Sequence, residues 1–240
     1  MEAYLSETLD SILASDYPDF EVVVMDDGSG DDSVNIARRY AERDSRVRAF
    51  AKANGGVSTA RNAAIRLSTG SYLLPVDADN TIEPDFLSRA AAVLDADDGV
   101  KVVAPTSDFF GERTGVWRLP KFKLNLLARK NIMDNCAMYR RVDYDRVGGY
   151  CEEILTREDW AFWIGVLKDG GRVVRLPQVL HHYRTRRDSK RVTNRHRLHS
   201  VIDKLNELYP DFFRRELYGP LRYRRSMSKL INLITYPFRR

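Results

Sequence analysis

Two aspartates, Asp77 and Asp79, follow the short apolar run from Ser71 to Val76 and are separated by a single residue. An apolar run of this length predicts a buried strand, and ligands of open α/β sheets bind beyond the carboxyl ends of the strands. Residues two apart in an extended segment project to the same side, so these carboxylates repel each other unless a cation joins them. Their oxygens suit Mg²⁺ or Mn²⁺, which bridge phosphate oxygens. A solvated turn after a strand is the alternative, because the D-x-D pattern is common.

A second acidic pair, Asp26 and Asp27, follows the β-branched run Val22–Val24 and opens a turn that includes Gly28 and Ser29. Two strands that both end in aspartates place negative charge twice at one edge of the sheet. This is unfavourable unless the cleft binds a cation or a ligand rich in hydrogen-bond donors, such as ribose hydroxyls or the N3–H of uracil. An ordinary turn with a helix-capping aspartate explains the pair equally well.

The segments around these pairs alternate between helical and strand patterns. The predicted helices span residues 4–14, 33–43, 58–68, 84–96 and 158–168. The predicted strands span residues 20–25, 47–51, 71–76, 100–104 and 172–176, and residues 106–135 are expected to form loops with short elements. This alternation indicates an α/β fold with a largely parallel sheet.

The composition of the 240-residue chain, with 43% apolar and 30% charged residues, is typical of a soluble globular protein. Its two cysteines, Cys136 and Cys151, form no C-x-x-C pair, which argues against a zinc ribbon or a disulfide framework and favours a reducing compartment. No secretory signal or membrane-spanning run is visible. The net charge of +5 is uneven, because residues 181–240 carry 16 Lys and Arg against 5 Asp and Glu.

Several short segments occur together along the chain in a fixed order. They are Val24–Ser33, Asn54–Asn62, Asp77–Asp79, Gly148–Tyr150 and Arg157–Trp160. Each is weak alone, but in this order and spacing they resemble the family 2 glycosyltransferases of GT-A fold over roughly residues 1–188. The resemblance implies a Rossmann-like, mostly parallel sheet of the nucleotide-diphospho-sugar transferases with helices on both faces, followed by a basic helical tail.

The resemblance also implies transfer of one sugar from a nucleotide-diphosphate donor, with a UDP-sugar favoured and with inversion at the anomeric carbon. The donor-binding positions of the family fall on Asp26, Asp27, Gly28, Ser29, Asn54, Arg61, Asn62 and Asp77. Asp27, helped by Asp26, would contact the base or the ribose. Arg61 and Asn62 would help to hold the nucleotide, and Asp77 would lie near the ribose.

A metal site is implied by the same resemblance. Asp79, with Asp77, would bind Mg²⁺ or Mn²⁺, which stabilises the charge on the leaving diphosphate. A histidine after a late strand is a metal ligand in some GT-A enzymes, so His182 or His181 could complete the site. An ordinary surface or core histidine explains either residue at least as well.

The candidate general base is Asp159, which follows Glu158 at the start of a predicted helix. Inverting transfer needs one carboxylate to take the proton of the acceptor hydroxyl as it attacks. The helix N-terminus is expected to lower the pKa of Asp159 and keep it ionised. Acidic residues that merely favour a helix start are the alternative. Trp160 and Trp163 could form a platform for the acceptor sugar, although their helical spacing favours core packing.

The sequence departs from the family at its start. The family begins with an apolar strand and a Pro-x-Tyr-Asn-like loop, and Met1–Tyr4 stands where the end of that loop would be. We therefore expect a central strand to be missing beside the strand at 20–25, as in a fragment, a misassigned start or a degenerate copy, with weaker stability and donor binding. The Gln-x-x-Arg-Trp motif of processive synthases is absent, which favours addition of a single sugar.

We predict a GT-A catalytic domain over residues 1–185, with a nucleotide-binding half (1–105) and an acceptor half (106–185), and then a basic, mainly helical extension (186–240). The basic run Arg184–Arg197 and the mixed basic and apolar residues after it suit the surface of an anionic membrane, although a helix docked on the catalytic domain is an equal alternative. The expected partners are the sugar donor and a glycan or lipid-linked acceptor, with no nucleic acid. The expected location is cytoplasmic, with peripheral contact with the inner face of the plasma membrane as one option.

Three other functions remain open at this level. A nucleotidylyltransferase has a related fold, but its Gly-rich loop with a basic residue after the first strand is not visible. An inactive or truncated family member could still bind nucleotides. A non-catalytic module that binds nucleotides or nucleic acid is the third, although the acidic body argues against nucleic acid along the cleft.

Overall fold

The computed structural model describes residues 1–186 and 197–235. Residues 187–196, which hold most of the predicted basic run, and residues 236–240 lie outside the described part. The strands are β1 (Val22–Asp26), β2 (Val47–Ala51), β3 (Tyr72–Leu73), β4 (Thr81–Ile82), β5 (Val100–Gly111), β6 (Gly115–Trp117), β7 (Met138–Arg140) and β8 (Arg172–Thr185). The helices are α1 (Glu2–Leu13), α2 (Ser33–Arg43), α3 (Val57–Leu67), α4 (Phe86–Ala96), α5 (Leu124–Leu127), α6 (Arg141–Val147), α7 (Glu158–Leu167), α8 (Leu198–Leu208), α9 (Pro210–Leu217) and α10 (Ser228–Thr235), with a 3₁₀ turn at Arg225–Met227.

The helices α1 to α4 and α7, and the strands β1 and β2, lie within two residues of their predicted bounds. The other predicted strands differ in length, and proline is the reason. β3 ends at Leu73, because the run reaches Pro75, which has no N–H to donate to a strand ladder. β5 and β8 continue past Pro105 and Pro177, where the prediction ended them, because the register of the two strands shifts there as a bulge.

The strand pairing is mixed, and the two longest ladders are parallel, as the predicted fold class requires. Among the described residues, β1–β2 and β5–β8 pair in parallel, whereas β3–β7, β4–β8, β5–β6 and β5–β7 are antiparallel. Every antiparallel pair includes at least one of the short strands β3, β4, β6 and β7, which are two or three residues long. The α/β class holds, and the parallel part is restricted to two pairs.

The strands fall into two sheets. β1 and β2 form one, and the second has the order β3-β7-β5-β8-β4 with β6 paired to β5. Within the described residues no ladder joins these two sheets. Apolar packing links the two sheets instead, because Ile12 and Phe20 contact the cores of both.

The larger sheet has a core on each face, as the alternation of side chains along a strand requires. Val102 of β5 and Tyr139 of β7 face a cluster with α7, α8 and α9, whereas the adjacent Val103 and Met138 face a cluster with α4. Helices therefore cover both faces, as predicted. Because α8 and α9 share the first cluster with α7, the described part of the C-terminal extension is docked on the catalytic fold. In the described ranges, no helix is long and apolar enough to cross a membrane.

Candidate active site

The turn after β1 is tied to the loop before α3 through Asp27. Its Oδ1 accepts hydrogen bonds from Lys52 Nζ at 2.7 Å and from the Gly55 N–H at 2.9 Å, and its Oδ2 accepts one from the Gly56 N–H at 2.7 Å. Burial alone would raise the pKa of Asp27, but these donors hold it below its ordinary value. Asp27 is therefore a fixed anion that shapes the end of the first strand.

The remaining predicted residues of this turn, the half-buried Asp26 and the exposed Gly28 and Ser29, shape its backbone. Asp26 Oδ2 accepts hydrogen bonds from the N–H groups of Gly28 at 3.1 Å and Ser29 at 3.0 Å, so this carboxylate is turned back onto its own loop. Gly28 has φ +73°, and a Cβ there would lie 3.0 Å from the backbone nitrogen of Asn54. The close approach of these two loops leaves room only for glycine.

Arg61 of α3 joins two acidic segments that are far apart in the sequence. Its Nη2 donates to Asp77 Oδ1 at 2.7 Å and its Nη1 donates to Glu158 Oε1 at 2.5 Å. Burial alone would lower the pKa of Arg61, but the two carboxylates raise it, so the guanidinium stays charged. Its cation also lies 5.4 Å from the ring centre of Tyr150. One arginine thus connects the turn after β3 to the start of α7.

Asp159, beside Glu158 at the start of α7, is half-buried. Its Oδ2 accepts a hydrogen bond from Asn131 Nδ2 at 2.6 Å, and its Oδ1 accepts one from the Trp160 N–H at 2.9 Å. Burial and then the charge of Glu158 raise the pKa of Asp159 to about 7, against the opposing effect of Arg61. The expectation that the helix N-terminus keeps its pKa low is wrong, because desolvation outweighs the helix. A carboxyl group with a pKa near neutrality can both take and release a proton.

Asp77 and Asp79 lie in a turn rather than on an extended strand, because the Asn80 N–H donates to the Asp77 carbonyl at 3.0 Å. The side chain of Asp79 is 16% exposed, and its Oδ2 pairs with Arg186 Nη2 at 3.1 Å. Its carbonyl oxygen accepts a hydrogen bond from Arg184 Nε at 2.9 Å. Burial and the charge of Asp77 raise the pKa of Asp79, and the two arginines oppose this. Each aspartate of the pair therefore has an arginine partner.

Neither candidate histidine is paired with Asp79. The ring nitrogens of His182 are hydrogen-bonded to Asp108 at 2.7 Å and to Glu83 at 2.9 Å, so metal binding would require one of these bonds to be given up. His181 is fully buried against Asp134 at 2.8 Å. Across the described ranges, no group of three or more His, Cys, Asp and Glu side chains is arranged to hold a metal ion.

Asn62 is buried and binds other parts of the protein instead of facing a ligand. Its Nδ2 donates to the Tyr150 carbonyl and to Glu152, each at 2.9 Å. Its Oδ1 accepts from the Tyr144 hydroxyl and the Tyr150 N–H, each at 2.9 Å. With both amide hydrogens and both lone pairs used, Asn62 positions the Gly149 turn, and this differs from its predicted role in donor binding.

Trp160 and Trp163 are both fully buried, so they pack in the core and do not form a platform for the acceptor sugar.

Sequence reasoning missed three residues that the structure brings to the predicted site: Lys52, Asn131 and Arg186. Lys52 directly follows a predicted strand opposite an acidic turn, so its charge and position were a usable signal. The other two lie in segments without a clear pattern, and only the fold brings them to the acidic pairs.

The fold is that of the GT-A glycosyltransferases. A crystal structure of S. aureus TarS 1-349 in complex with UDP matches all of this chain and 70% of its own, with a TM-score of 0.68 and 21% identity. The mannosyltransferase PcManGT of Pyrobaculum calidifontis, in complex with GDP-Man and Mn²⁺, matches 97% of this chain and 68% of its own, with a TM-score of 0.68 and 22% identity. These likenesses show the fold.

The family follows from the sequence comparison. The family model described as Glycosyl transferase family 2 matches residues 2–153, and this chain belongs to that family. It is 29% identical to the glycosyltransferase EpsJ of Bacillus subtilis over 204 residues, which are 77% of this chain and 58% of EpsJ. It is 27% identical to the glycosyltransferase GlyA of Streptococcus pneumoniae over 86% of this chain and 32% of GlyA. The chain therefore spans only part of the length of these relatives.

Proposed function

We propose that this glycosyltransferase moves a single sugar from a nucleotide-diphosphate sugar to an acceptor hydroxyl, with inversion at the anomeric carbon. The observation that carries the proposal is Asp159, a half-buried carboxyl group whose pKa is raised to about 7. A general base works best when its pKa is close to the operating pH. The contacts of Arg61 connect this base to the acidic turn that holds Asp77.

In the proposed reaction, the acceptor oxygen attacks the anomeric carbon from the face opposite the diphosphate. The bond between that carbon and the phosphate oxygen breaks, and the nucleoside diphosphate leaves with the electron pair. The acceptor proton passes to the carboxylate of Asp159, which Asn131 holds in place. Arg61 neutralises the negative charge of Glu158, so Asp159 accepts the proton with one uncompensated negative charge fewer beside it.

UDP-sugars are the favoured donors. TarS has been solved with UDP and with UDP-GlcNAc, whereas PcManGT has been solved with GDP-Man. In this chain, the turn with Asp27 and Gly28 would receive the base and ribose, because its carboxylate is fixed and its backbone is exposed. Asp77, whose side chain is 41% exposed, would face the ribose.

Divalent metal is used within the wider fold, since PcManGT is solved with Mn²⁺. The sequence predicts Mg²⁺ or Mn²⁺ here at Asp79 and Asp77, with His182 as a further ligand. The side chains do not fit this prediction in their present arrangement. Asp77 and Asp79 are each paired with an arginine, and both nitrogens of His182 are hydrogen-bonded to carboxylates. We therefore assign no step of the reaction to a metal ion.

A second surface, on α10, would suit a membrane that carries a lipid-linked glycan acceptor. Leu230, Leu233 and Ile234 of this helix are exposed, and Lys229 beside them is basic and exposed. A short amphipathic helix of this kind suits the surface of an anionic membrane, which would place the enzyme on the inner face of the plasma membrane. Replacing Leu230 and Ile234 by Ser should reduce co-sedimentation with phosphatidylglycerol vesicles, whereas the exposed Leu155→Ser should not. Equal sedimentation of the two variants would contradict the membrane contact.

The experiment that tests the proposed function starts with thermal shifts against UDP-, GDP- and dTDP-sugars. The donor that binds is then used to measure release of nucleoside diphosphate, with water or added acceptor. Asp159→Asn should lower this rate by about 10² to 10⁴, because a general base contributes that much. Its donor affinity should stay within about threefold of the wild type, since Asp159 acts on the acceptor.

The matched control is Asp169→Asn, an exposed aspartate just beyond the other end of α7. Its rate should equal that of the wild type. If Asp159→Asn keeps most of its turnover, Asp159 is not the base. Binding without turnover by the wild type would favour an inactive nucleotide-binding module. Release of pyrophosphate from a nucleoside triphosphate and a sugar phosphate would favour a nucleotidylyltransferase.

A further inference from the structure

The end of β8 brings two arginines to the acidic turn that contains Asp79. Arg186 pairs with the carboxylate of Asp79 at 3.1 Å, and Arg184 donates from Nε to the carbonyl of the same residue at 2.9 Å. Both guanidinium groups lie over the ring of Tyr4, at 4.6 Å for Arg184 and 5.2 Å for Arg186. Arg184 also pairs with Glu7 of α1. Charge, ring contact and backbone contact thus hold a cationic group on the aspartate that the sequence assigns to a metal.

The charges of the site require a cation at this position if a diphosphate is to bind. Asp77 and Asp79 are adjacent carboxylates, and a diphosphate brings further negative charge to them. Arg61 is already shared between Asp77 and Glu158. Arg186 is the described cation that is paired with Asp79, and its side chain is 22% exposed, so solvent reaches it.

On the basis of the proposed function, we propose that the Arg186 guanidinium, held on Asp79, is the cation that binds the donor diphosphate. Nucleotide binding would then not require a divalent metal ion. A guanidinium presents five N–H groups in a fixed plane and can bind a carboxylate on one side and phosphate oxygens on another. Such charge-assisted hydrogen bonds are among the stronger ones in proteins.

The same contacts disfavour a metal ion at Asp79. A cation on Oδ2 would have to displace Arg186 and leave its guanidinium without this carboxylate. Binding through His182 would break a hydrogen bond to Asp108 or to Glu83. The arginine therefore occupies the electrostatic role that the D-x-D pattern assigns to Mg²⁺ or Mn²⁺.

The test measures binding of UDP and GDP by calorimetry, in EDTA and in Mn²⁺, without any need for turnover. In the wild type, we expect the nucleotide that binds to do so in EDTA with an affinity within about threefold of that in Mn²⁺, because Arg186 supplies the positive charge. Arg186→Ala should lose about tenfold or more of the affinity in EDTA, as expected for hydrogen bonds to a charged group. Arg172→Ala is the matched control, since Arg172 lies at the opposite end of β8 and also pairs with an aspartate, Asp97.

The outcomes separate this inference from the proposed function. Binding by the wild type only in Mn²⁺ would overturn the role of Arg186 and leave the proposed function intact. Equal affinity of Arg186→Ala and Arg172→Ala in EDTA would do the same. No binding of either nucleotide under both conditions would count against this inference and also against the proposed UDP or GDP donor. If Arg186→Ala does not fold, Arg186→Gln replaces it, and the wild-type comparison needs no variant.

Discussion

Two acidic pairs of the site, Asp77 with Asp79 and Glu158 with Asp159, both carry two carboxyl groups but have different neighbours. In the turn after β3, Asp77 and Asp79 each contact an arginine. At the start of α7, Glu158 contacts Arg61, whereas the hydrogen bonds to Asp159 come from the neutral groups of Asn131 and Trp160. The pKa of Asp159 is raised to about 7 as a result of burial and of the adjacent Glu158. The placement of cations, more than the carboxylates themselves, therefore separates the proposed binding surface from the proposed proton acceptor.

The largest effect on stability is expected when Arg61, the cation that contacts both pairs, is removed. Arg61→Ala leaves Glu158 buried without its partner and Asp77 without its ion pair. Removal of one partner from a buried ion pair is strongly destabilising, so we expect the free energy of unfolding to fall by about 3 kcal/mol. Urea unfolding followed by circular dichroism measures this change.

The control for Arg61→Ala is Arg89→Ala, which breaks an exposed pair with Asp85 on the surface of α4. Exposed pairs at this helical spacing contribute about 0.5 kcal/mol or less. If both variants lose the same small amount, Arg61 does not hold the two acidic pairs together, and the contrast between them has another cause.

A smaller effect is expected from pH, and it concerns Asp159 alone. If Asp159 must be ionised to accept the proton, the rate of nucleoside diphosphate release should rise about tenfold per pH unit up to about pH 7 and then level off. The Asp159→Asn variant should lack this rise. A wild-type profile that is flat between pH 5 and 8 would show that no such group controls the reaction.

The same group makes stability depend on pH in a defined direction. The pKa of Asp159 is about 7 in the folded state against an ordinary value of 3.8. Between these values the unfolded chain loses its proton first, so the free energy of unfolding should fall as the pH rises from about 4 to 7. Asp159→Asn should remove this part of the fall and melt higher than the wild type at pH 8. The residue that we propose as the general base is then one that lowers stability when it is charged.

Much of the fold follows from local patterns in the sequence. The β-branched run before Asp26 and the periodic helix before Gly70 are self-contained signals, and the elements they predict are in place. The lengths of β5 and β8 were not predictable in this way. Pro105 and Pro177 are local signals for strand ends, but the two strands pair in parallel across both prolines, with a shift in register. Long-range pairing outweighs the local rule there.

The residues of the site also differ in how far the sequence alone predicts them. Asp27 and Arg61 lie at strand and helix ends that the sequence marks, whereas their partners come from elsewhere in the chain. The pKa of Asp159 depends on burial, which a helix-start pattern does not report, and its prediction therefore had the wrong direction. The contact of Arg186 with Asp79 joins positions more than a hundred residues apart. Contacts between positions so far apart in the sequence form only when the chain folds, so a local sequence pattern does not reveal them.

The smallest expected effect sharpens the role of Asn131, which acts through Asp159 as a positioning residue. Its Nδ2 donates to Asp159 Oδ2 at 2.6 Å, and this bond lowers the pKa of Asp159. Asn131→Ala should therefore shift the rise of the pH profile upward by about one pH unit, since a hydrogen bond to a charged group is of that size. At pH 7 the rate should fall several-fold and recover at higher pH, whereas Asn125→Ala, at an exposed position on α5, should leave the profile unchanged. A uniform loss of rate at every pH would mean that Asn131 orients the base without tuning it, and the contrast between the two acidic pairs would then rest on burial and Glu158 alone.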